Sequence, residues 1–330
     1  MIKIIFKDGQ GLGNQLWIYA SAKSIAEKLN FKLYVQDFQK FKGKSFLELD
    51  SCEKEYISNK DQSNLGIPFE TFKERLYYDH QLNYIVSSFD EKVLEIKDNT
   101  ILDGLFQSEK YFFGELGKLK RYIKLNSIVK KNNLIHHDVC IINLRGGEYK
   151  RHKDFLLPMN YWNNAIKNFK EKYNINKFKV VTDDYYYAKA LFPNFEVIHG
   201  NIGNCYATIY NCSNIIVSNS TFSYFPCKTG IKKRVIAPMH WARYNNKFDR
   251  WISPCNIYKD WLWQDINSNL RTYDDCKINA ELTNKYYKTE YTVLINKKYI
   301  PSNKFLKIIP KSIKKRIKKF LSIIFPKHFG

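Results

Sequence analysis

The stretch Gly9-Gln10-Gly11-Leu12-Gly13-Asn14-Gln15-Leu16 constrains the fold more than any other part of this chain. An apolar run, Ile2 to Phe6, precedes it, and an amphipathic run, Trp17 to Leu29, follows it. That order predicts a strand over Ile2–Phe6, a glycine turn, and a helix over Asn14–Leu29, the opening of a parallel α/β unit. Such a turn aims backbone N–H groups and the positive end of a helix dipole into the crevice at the strand's carboxyl edge. Asn14 and Gln15 then sit where a substrate meets the turn.

The alternation continues, most cleanly in the second half. Strands are predicted over Lys32–Val35, Val139–Leu144, Phe178–Thr182, Phe195–Ile198, Ile215–Val217 and Arg234–Ala237. Helices are predicted over Pro158–Lys172, Tyr185–Phe192, Asn204–Cys212 and Thr221–Thr229. Strands alternating with helices mean βαβ units and mostly parallel sheets. The polar segment Leu125–Asp138, with Lys130-Lys131-Asn132-Asn133, is the predicted boundary between two such units. Beyond Pro238 the alternation stops, and the aromatic-rich stretch from His240-Trp241 to Trp263 carries no readable period.

Composition excludes several classes. At 330 residues and 44% hydrophobic, the chain supports real cores and is not disordered. The net charge of +22 invites a nucleic-acid reading, but nine of the basic residues crowd into the last thirty positions without an acid. The remaining lysines are scattered, the aromatics are dispersed, and no nucleic-acid-binding motif is present, so no nucleic-acid partner is expected. Seven widely spaced cysteines form no CxxC site and read as reduced thiols in the cytosol. Met1 leads straight into a strand, which is not the pattern of a signal peptide. No apolar run is long enough to suggest a spanning helix.

Three further segments carry chemistry at predicted strand ends. In Asn143-Leu144-Arg145-Gly146-Gly147-Glu148-Tyr149, an arginine leaves a buried strand beside flexible backbone. That setting suits two-pronged capture of a diphosphate; the bland alternative is an Arg145–Glu148 pair. In Thr182-Asp183-Asp184 one acid is positioned to accept hydrogen bonds from a ribose or base, and the other to cap a helix. In Ser218-Asn219-Ser220-Thr221-Phe222-Ser223, hydroxyls and N–H groups cluster between strand and helix as an anion site, or as an ordinary cap. The glycines match a dinucleotide fingerprint only loosely, although Asp37 lies some twenty residues on and keeps a nicotinamide reading open. The histidines are not at metal-ligand spacing. No Walker A, GxSxG or HExxH motif is present, and Asp183-Asp184 and Asp274-Asp275 lack Asp-x-Asp spacing. No metal is therefore expected.

Taken together, these segments resemble the α-1,2-fucosyltransferases of glycosyltransferase family 11 and their bacterial surface-polysaccharide relatives. Gln10 to Ala20 is similar to the family's opening Gly-Gly-Leu-Gly-Asn-Gln-aromatic-x-Tyr-Ala. Gly104-Leu105-Phe106-Gln107-Ser108-Glu109-Lys110-Tyr111-Phe112 resembles its Gly-Tyr-x-Gln-Ser-x-x-Tyr-Phe segment. The order holds over roughly residues 1–240. One motif departs: for the family's His-x-Arg-Arg-Gly-Asp-Tyr this chain has Asn143, a single arginine at Arg145, Gly146 and Glu148. A sister enzyme that uses another nucleotide sugar is therefore the alternative.

The resemblance implies a GT-B fold, two Rossmann-like domains facing a cleft: 1–130 on the acceptor side, and 131–295 binding the nucleotide sugar. It implies inverting, metal-independent transfer of fucose from GDP-fucose, with no cofactor, to a galactoside 2-hydroxyl of a surface glycan. Gly11, Gly13, Asn14, Gln15 and Gln107 fall on the acceptor side. Arg145, Gly146, Asp183, Asp184, Ser218, Ser220 and Thr221 fall on the donor side. Asn14, Arg145 and Glu148 are the candidate catalytic residues, and Asp8 is a second candidate base.

The segment 296–330 adds a tail. Ile313, Ile317, Phe320, Leu321 and Ile324 share one helical face, and lysines cover the rest. A basic amphipathic helix lying in an anionic membrane surface is expected, with a helix packed on the protein body as the alternative. It suits an enzyme on the cytoplasmic face of the inner membrane acting on a lipid-linked acceptor.

Overall fold

The protein's structure, a computed structural model, describes residues 1–50, 53–54, 68–127, 129 and 136–290. Residues 1–293 make one compact unit. The expected amphipathic tail, with the rest of 294–330, lies outside the described residues, as does the predicted boundary at 130/131.

The first half runs β1 (Ile2–Ile5), α1 (Leu12–Leu29), β2 (Leu33–Gln36), β3 (Leu47–Leu49), β4 (Glu53–Lys54), β5 (Glu70–Lys73), β6 (Leu76–Asp79), β7 (Tyr84–Ser87), β8 (Thr100–Asp103), α2 (Leu119–Tyr122) and β9 (Ile123–Leu125). Five of these strands make a parallel sheet in the order β4-β2-β1-β8-β5. β6 and β7 form a separate antiparallel hairpin.

The second half runs β10 (His136–Leu144), α3 (Met159–Tyr173), β11 (Lys177–Thr182), α4 (Tyr185–Leu191), β12 (Glu196–Ile198), α5 (Ile202–Asn211), β13 (Cys212–Val217), α6 (Tyr224–Thr229), β14 (Arg234–Pro238), β15 (Leu262–Gln264), β16 (Leu270–Arg271) and α7 (Tyr273–Glu290). Its seven strands lie in the order β12-β11-β10-β13-β14-β15-β16, parallel except for β16. Two parallel α/β sheets flanking a cleft are the architecture expected of a GT-B enzyme.

In each sheet the first strand lies in the interior, with the strand that follows it in sequence on one side and a later strand on the other. The order therefore reverses between β1 and β8 and between β10 and β13, and ligands of open α/β sheets bind outside the carboxyl ends of such strands.

Helix α1 is buried over most of its circumference, not along one stripe. The sheet covers one side and the second half covers another: Trp17 stacks on Tyr224 at 4.2 Å and on Phe112 at 5.6 Å. Its last turn ends at Asn30, whose left-handed backbone closes the helix. The stretch after Pro238 resolves into a loop of left-handed residues, among them His240 and Trp241, followed by β15 and β16. Helix α7 then returns to the first half. Tyr287 donates to Asp79 at 2.8 Å, and Ser88 donates to Asn284 at 2.7 Å.

Candidate active site

A cavity of about 530 Å³ opens between the two sheets. Its walls are the segments that follow the strands at both reversal points: Gly9–Asn14 after β1, Leu105 and Gln107 after β8, Asn143–Arg145 at the end of β10, and Asn219–Phe222 after β13.

The first-half wall is built from backbone and amides. Gly9 turns the chain with φ of +74°, a conformation side chains resist, and α1 starts immediately after Gly11. Asn14 lies in the first helical turn, where N–H groups lack intrahelical partners. Its Oδ1 accepts from Gln107 Nε2 at 3.0 Å and from Thr221 Oγ1 of the opposite wall at 2.9 Å. Among the described residues no acceptor engages the two donors of the Asn14 amide nitrogen. Gly13 permits this approach: a Cβ there would sit 2.5 Å from the Thr221 carbonyl carbon.

Beneath this wall lies a buried carboxylate. Glu74 accepts from Leu105 N at 2.7 Å, Phe106 N at 2.8 Å and the Tyr111 hydroxyl at 3.0 Å. Phe106 adopts φ of +49°, so the turn directs both N–H groups inward. Burial drives the Glu74 carboxyl up to about 7 from an ordinary 4.5, and the N–H groups of Phe106 and Leu105 offset part of that rise. Glu74 thereby fixes the turn that carries Gln107, and through it Asn14.

The second-half wall carries charge. Arg145 Nη1 pairs with Asp183 Oδ2 at 2.8 Å, and Asp183 Oδ1 accepts from Gly146 N at 2.9 Å. Part of the arginine fork stays open to the cleft. Ser220 caps the turn after β13, accepting from Phe222 N at 3.3 Å. Three buried polar atoms at this floor, Asn143 Oδ1, Ser218 Oγ and Asn219 Oδ1, have no protein partner among the described residues.

Of the residues singled out from sequence, Gly11, Gly13, Asn14, Gln107, Arg145, Glu148, Asp183, Ser220 and Thr221 line this one cavity. Others do not. Gln15 is fully buried, and its amide holds the neighbouring loop, donating to Lys40 O at 2.9 Å and accepting from Lys42 N at 2.9 Å. Asp184 caps α4 by accepting from Tyr187 N at 3.1 Å and pairs with Lys150. Gly146 packs behind the wall against Tyr187 and Asp184. Ser218 is buried below the floor, its N–H bonded to Asn143 O at 3.1 Å. Asp8 points to solvent and pairs with Lys40 at 3.0 Å. Asp183 lines the cavity with each carboxylate oxygen already engaged once, by Arg145 and by Gly146 N, and each keeps a second lone pair. Arg145 pairs with Asp183 rather than Glu148, which leaves Glu148 exposed in the cleft without an ion-pair partner among the described residues.

Sequence reasoning missed Lys42, Tyr84, Phe155, His199 and Trp241, all in the lining. His199 follows β12 directly, so the strand-end logic used elsewhere reaches it. Tyr84 sits in the hairpin and Trp241 in the aperiodic loop, where no pattern points inward.

No family model matches the chain. Among curated proteins it is 24% identical over 298 residues to the O-antigen biosynthesis glycosyltransferase WbnK of Escherichia coli, spanning 74% of this chain and 97% of that protein. Among solved structures it is similar to the α-1,6-fucosyltransferase NodZ of Bradyrhizobium soaked with GDP-fucose, at 16% identity and a TM-score of 0.42, over 72% of this chain and 94% of NodZ. It is also similar to a mutant FUT1 of Arabidopsis thaliana in complex with GDP, at 12% identity and a TM-score of 0.44, over 72% of this chain and 70% of that one. The sequence match relates the chain to glycosyltransferases.

Proposed function

We propose that this protein transfers fucose from GDP-fucose to a galactoside 2-hydroxyl, with inversion and without a metal. The observation that carries this reading is the meeting of both reversal points in one cleft, joined by the Thr221–Asn14 hydrogen bond. One wall offers charge and hydroxyls, suited to a diphosphate; the other offers amide donors, suited to a sugar hydroxyl. In this reading the acceptor oxygen forms its bond to the anomeric carbon as the bond to the diphosphate breaks, and the diphosphate leaves with the electron pair. Arg145 and the groups around Ser220 and Thr221 stabilise that leaving charge. The Asn14 amide donates to the acceptor hydroxyl and orients it. Glu148, exposed in the lining and without an ion-pair partner among the described residues, takes the proton. The positive character of the transition state follows by analogy with glycoside hydrolysis. Metal independence is motivated by the lack of an Asp-x-Asp motif in the sequence.

The test is transfer from GDP-fucose to methyl β-D-galactopyranoside in excess EDTA, with the product linkage read by NMR. An α-1,2 product formed under EDTA supports the reading. Activity lost in EDTA and restored by Mn²⁺ overturns metal independence. Stabilisation by UDP or ADP but not GDP reassigns the donor, the alternative favoured by Gly146 standing where the family has a second arginine.

The acceptor class extends to a lipid-linked glycan at the cytoplasmic face of the inner membrane, supported by the apolar face and lysines of 304–327. Full-length protein should co-sediment with anionic liposomes, and a version ending at Pro301 should not. Equal pelleting of the two sinks this part.

A further inference from the structure

Arg243 is buried, and no carboxylate lies within ion-pair distance of it among the described residues. Its guanidinium instead donates to three carbonyl oxygens, those of Leu82, Asn83 and Ala242, each at 3.0 Å. Desolvation pulls its pKa below the ordinary arginine value. Burying a guanidinium without a direct ion pair is costly, so what it holds is informative. Its faces lie against two rings: Phe155 at 4.5 Å and Tyr84 at 4.9 Å. Tyr84 comes from the first half, at the end of the β6–β7 turn, and Phe155 comes from the second. The two rings meet edge to face at 5.7 Å.

Both rings are only half-buried, and both line the cleft. The second one is anchored beside the charged wall. Asn219 Nδ2 donates to Phe155 O at 3.1 Å, and the Tyr149 hydroxyl donates to Asn219 O at 3.2 Å. Tyr149 packs on Phe155 at 5.1 Å. Asn219 immediately precedes Ser220. An apolar, rigid surface therefore adjoins the position where the leaving group is expected, with one of its two rings supplied by the acceptor-side half.

We propose that Tyr84 and Phe155, fixed by Arg243, form the platform on which the acceptor pyranose lays its apolar C–H face, so that its hydroxyl edge turns toward Asn14 and Glu148. Arg243 is a positioning residue here, because it acts through the rings. This inference rests on the glycosyl-transfer reading above. A rigid aromatic face recognises a sugar by area and shape and leaves its hydroxyls free for the amides of the facing wall.

The test uses GDP-fucose and methyl β-D-galactopyranoside with the full-length protein and four variants: Tyr84→Ala, Phe155→Ala, Arg243→Lys, and Tyr186→Ala as a control at a solvent-exposed ring outside the cleft lining. GDP-induced thermal stabilisation is measured in parallel and reports folding and donor binding. Acceptor KM should rise roughly three- to tenfold in Tyr84→Ala and Phe155→Ala. It should rise less in Arg243→Lys, which keeps the charge but loses the flat fork. The donor KM and the GDP stabilisation should hold, and Tyr186→Ala should match the wild type. A rise in donor KM with acceptor KM unchanged overturns the platform and gives the rings to the nucleotide sugar. Wild-type protein that GDP stabilises but that cannot use the galactoside overturns the pyranoside platform alone. Wild-type protein that no nucleotide stabilises overturns the function reading and the platform with it.

Discussion

The two walls of the cleft are built on the same topology and differ in chemistry. In both sheets the first strand is an interior one, and the working residues follow the strands at the reversal point. The second-half wall uses ionised side chains held in pairs: Arg145 with Asp183, and behind it Lys150 with Asp184. The first-half wall has the neutral amides of Asn14 and Gln107 at its centre, steadied by Glu74 out of reach of solvent. A diphosphate is recognised by charge, which acts over distance. A sugar hydroxyl needs a donor at a fixed angle, and an amide supplies that without attracting stray ions. In the proposed function this difference gives the two walls different substrates.

This contrast is also visible in what the sequence disclosed. Strands β10 to β14 and the helices between them agree with their predicted spans to within a few residues, because each is a continuous apolar or amphipathic run. Arg145, Ser220 and Thr221 were legible for the same reason: they stand where a buried run stops. The first half was harder. Glu74 looks like any surface acid in sequence, yet it is buried to bind two N–H groups of a turn thirty residues away. Gln15 follows Asn14 directly, but one helical step rotates it away from the cleft and into the core. Helix α7 and the hairpin it covers are tied by long-range contacts such as Tyr287–Asp79, which leave no local period.

Substitutions can break the contrast or sharpen it. The largest effect is expected for Arg145→Ala, which should cost GDP binding about 2–5 kcal/mol and abolish its thermal stabilisation. Undiminished GDP binding would remove the charged wall from the donor site.

Glu74 gives the next effect, read as a pH dependence. Its carboxyl titrates at about 7 in the folded protein against 4.5 ordinarily, so folding favours its protonated form. Its contribution is full below about pH 4.5 and is lost as the pH rises through about 7, on the order of 3 kcal/mol across that window. Urea unfolding of wild type should show this decline, and Glu74→Gln should flatten it. The same slope in both proteins would mean that another group titrates.

Gly13→Ala should destabilise the protein by about 1–3 kcal/mol, because the new methyl meets the Thr221 backbone. Gly11→Ala meets open space and should stay within about 0.5 kcal/mol of wild type in thermal unfolding. Equal losses at the two glycines would mean that the walls do not touch through Gly13.

The division of labour is tested most directly by one comparison on Asn14→Ala: its GDP affinity by calorimetry against its rate of sugar transfer. The account predicts GDP affinity within about twofold of wild type while transfer falls roughly 10²–10³-fold, the scale of losing one oriented donor at a reacting centre. A parallel loss of GDP affinity would contradict it, since the glycine turn of the first half would then be holding the nucleotide.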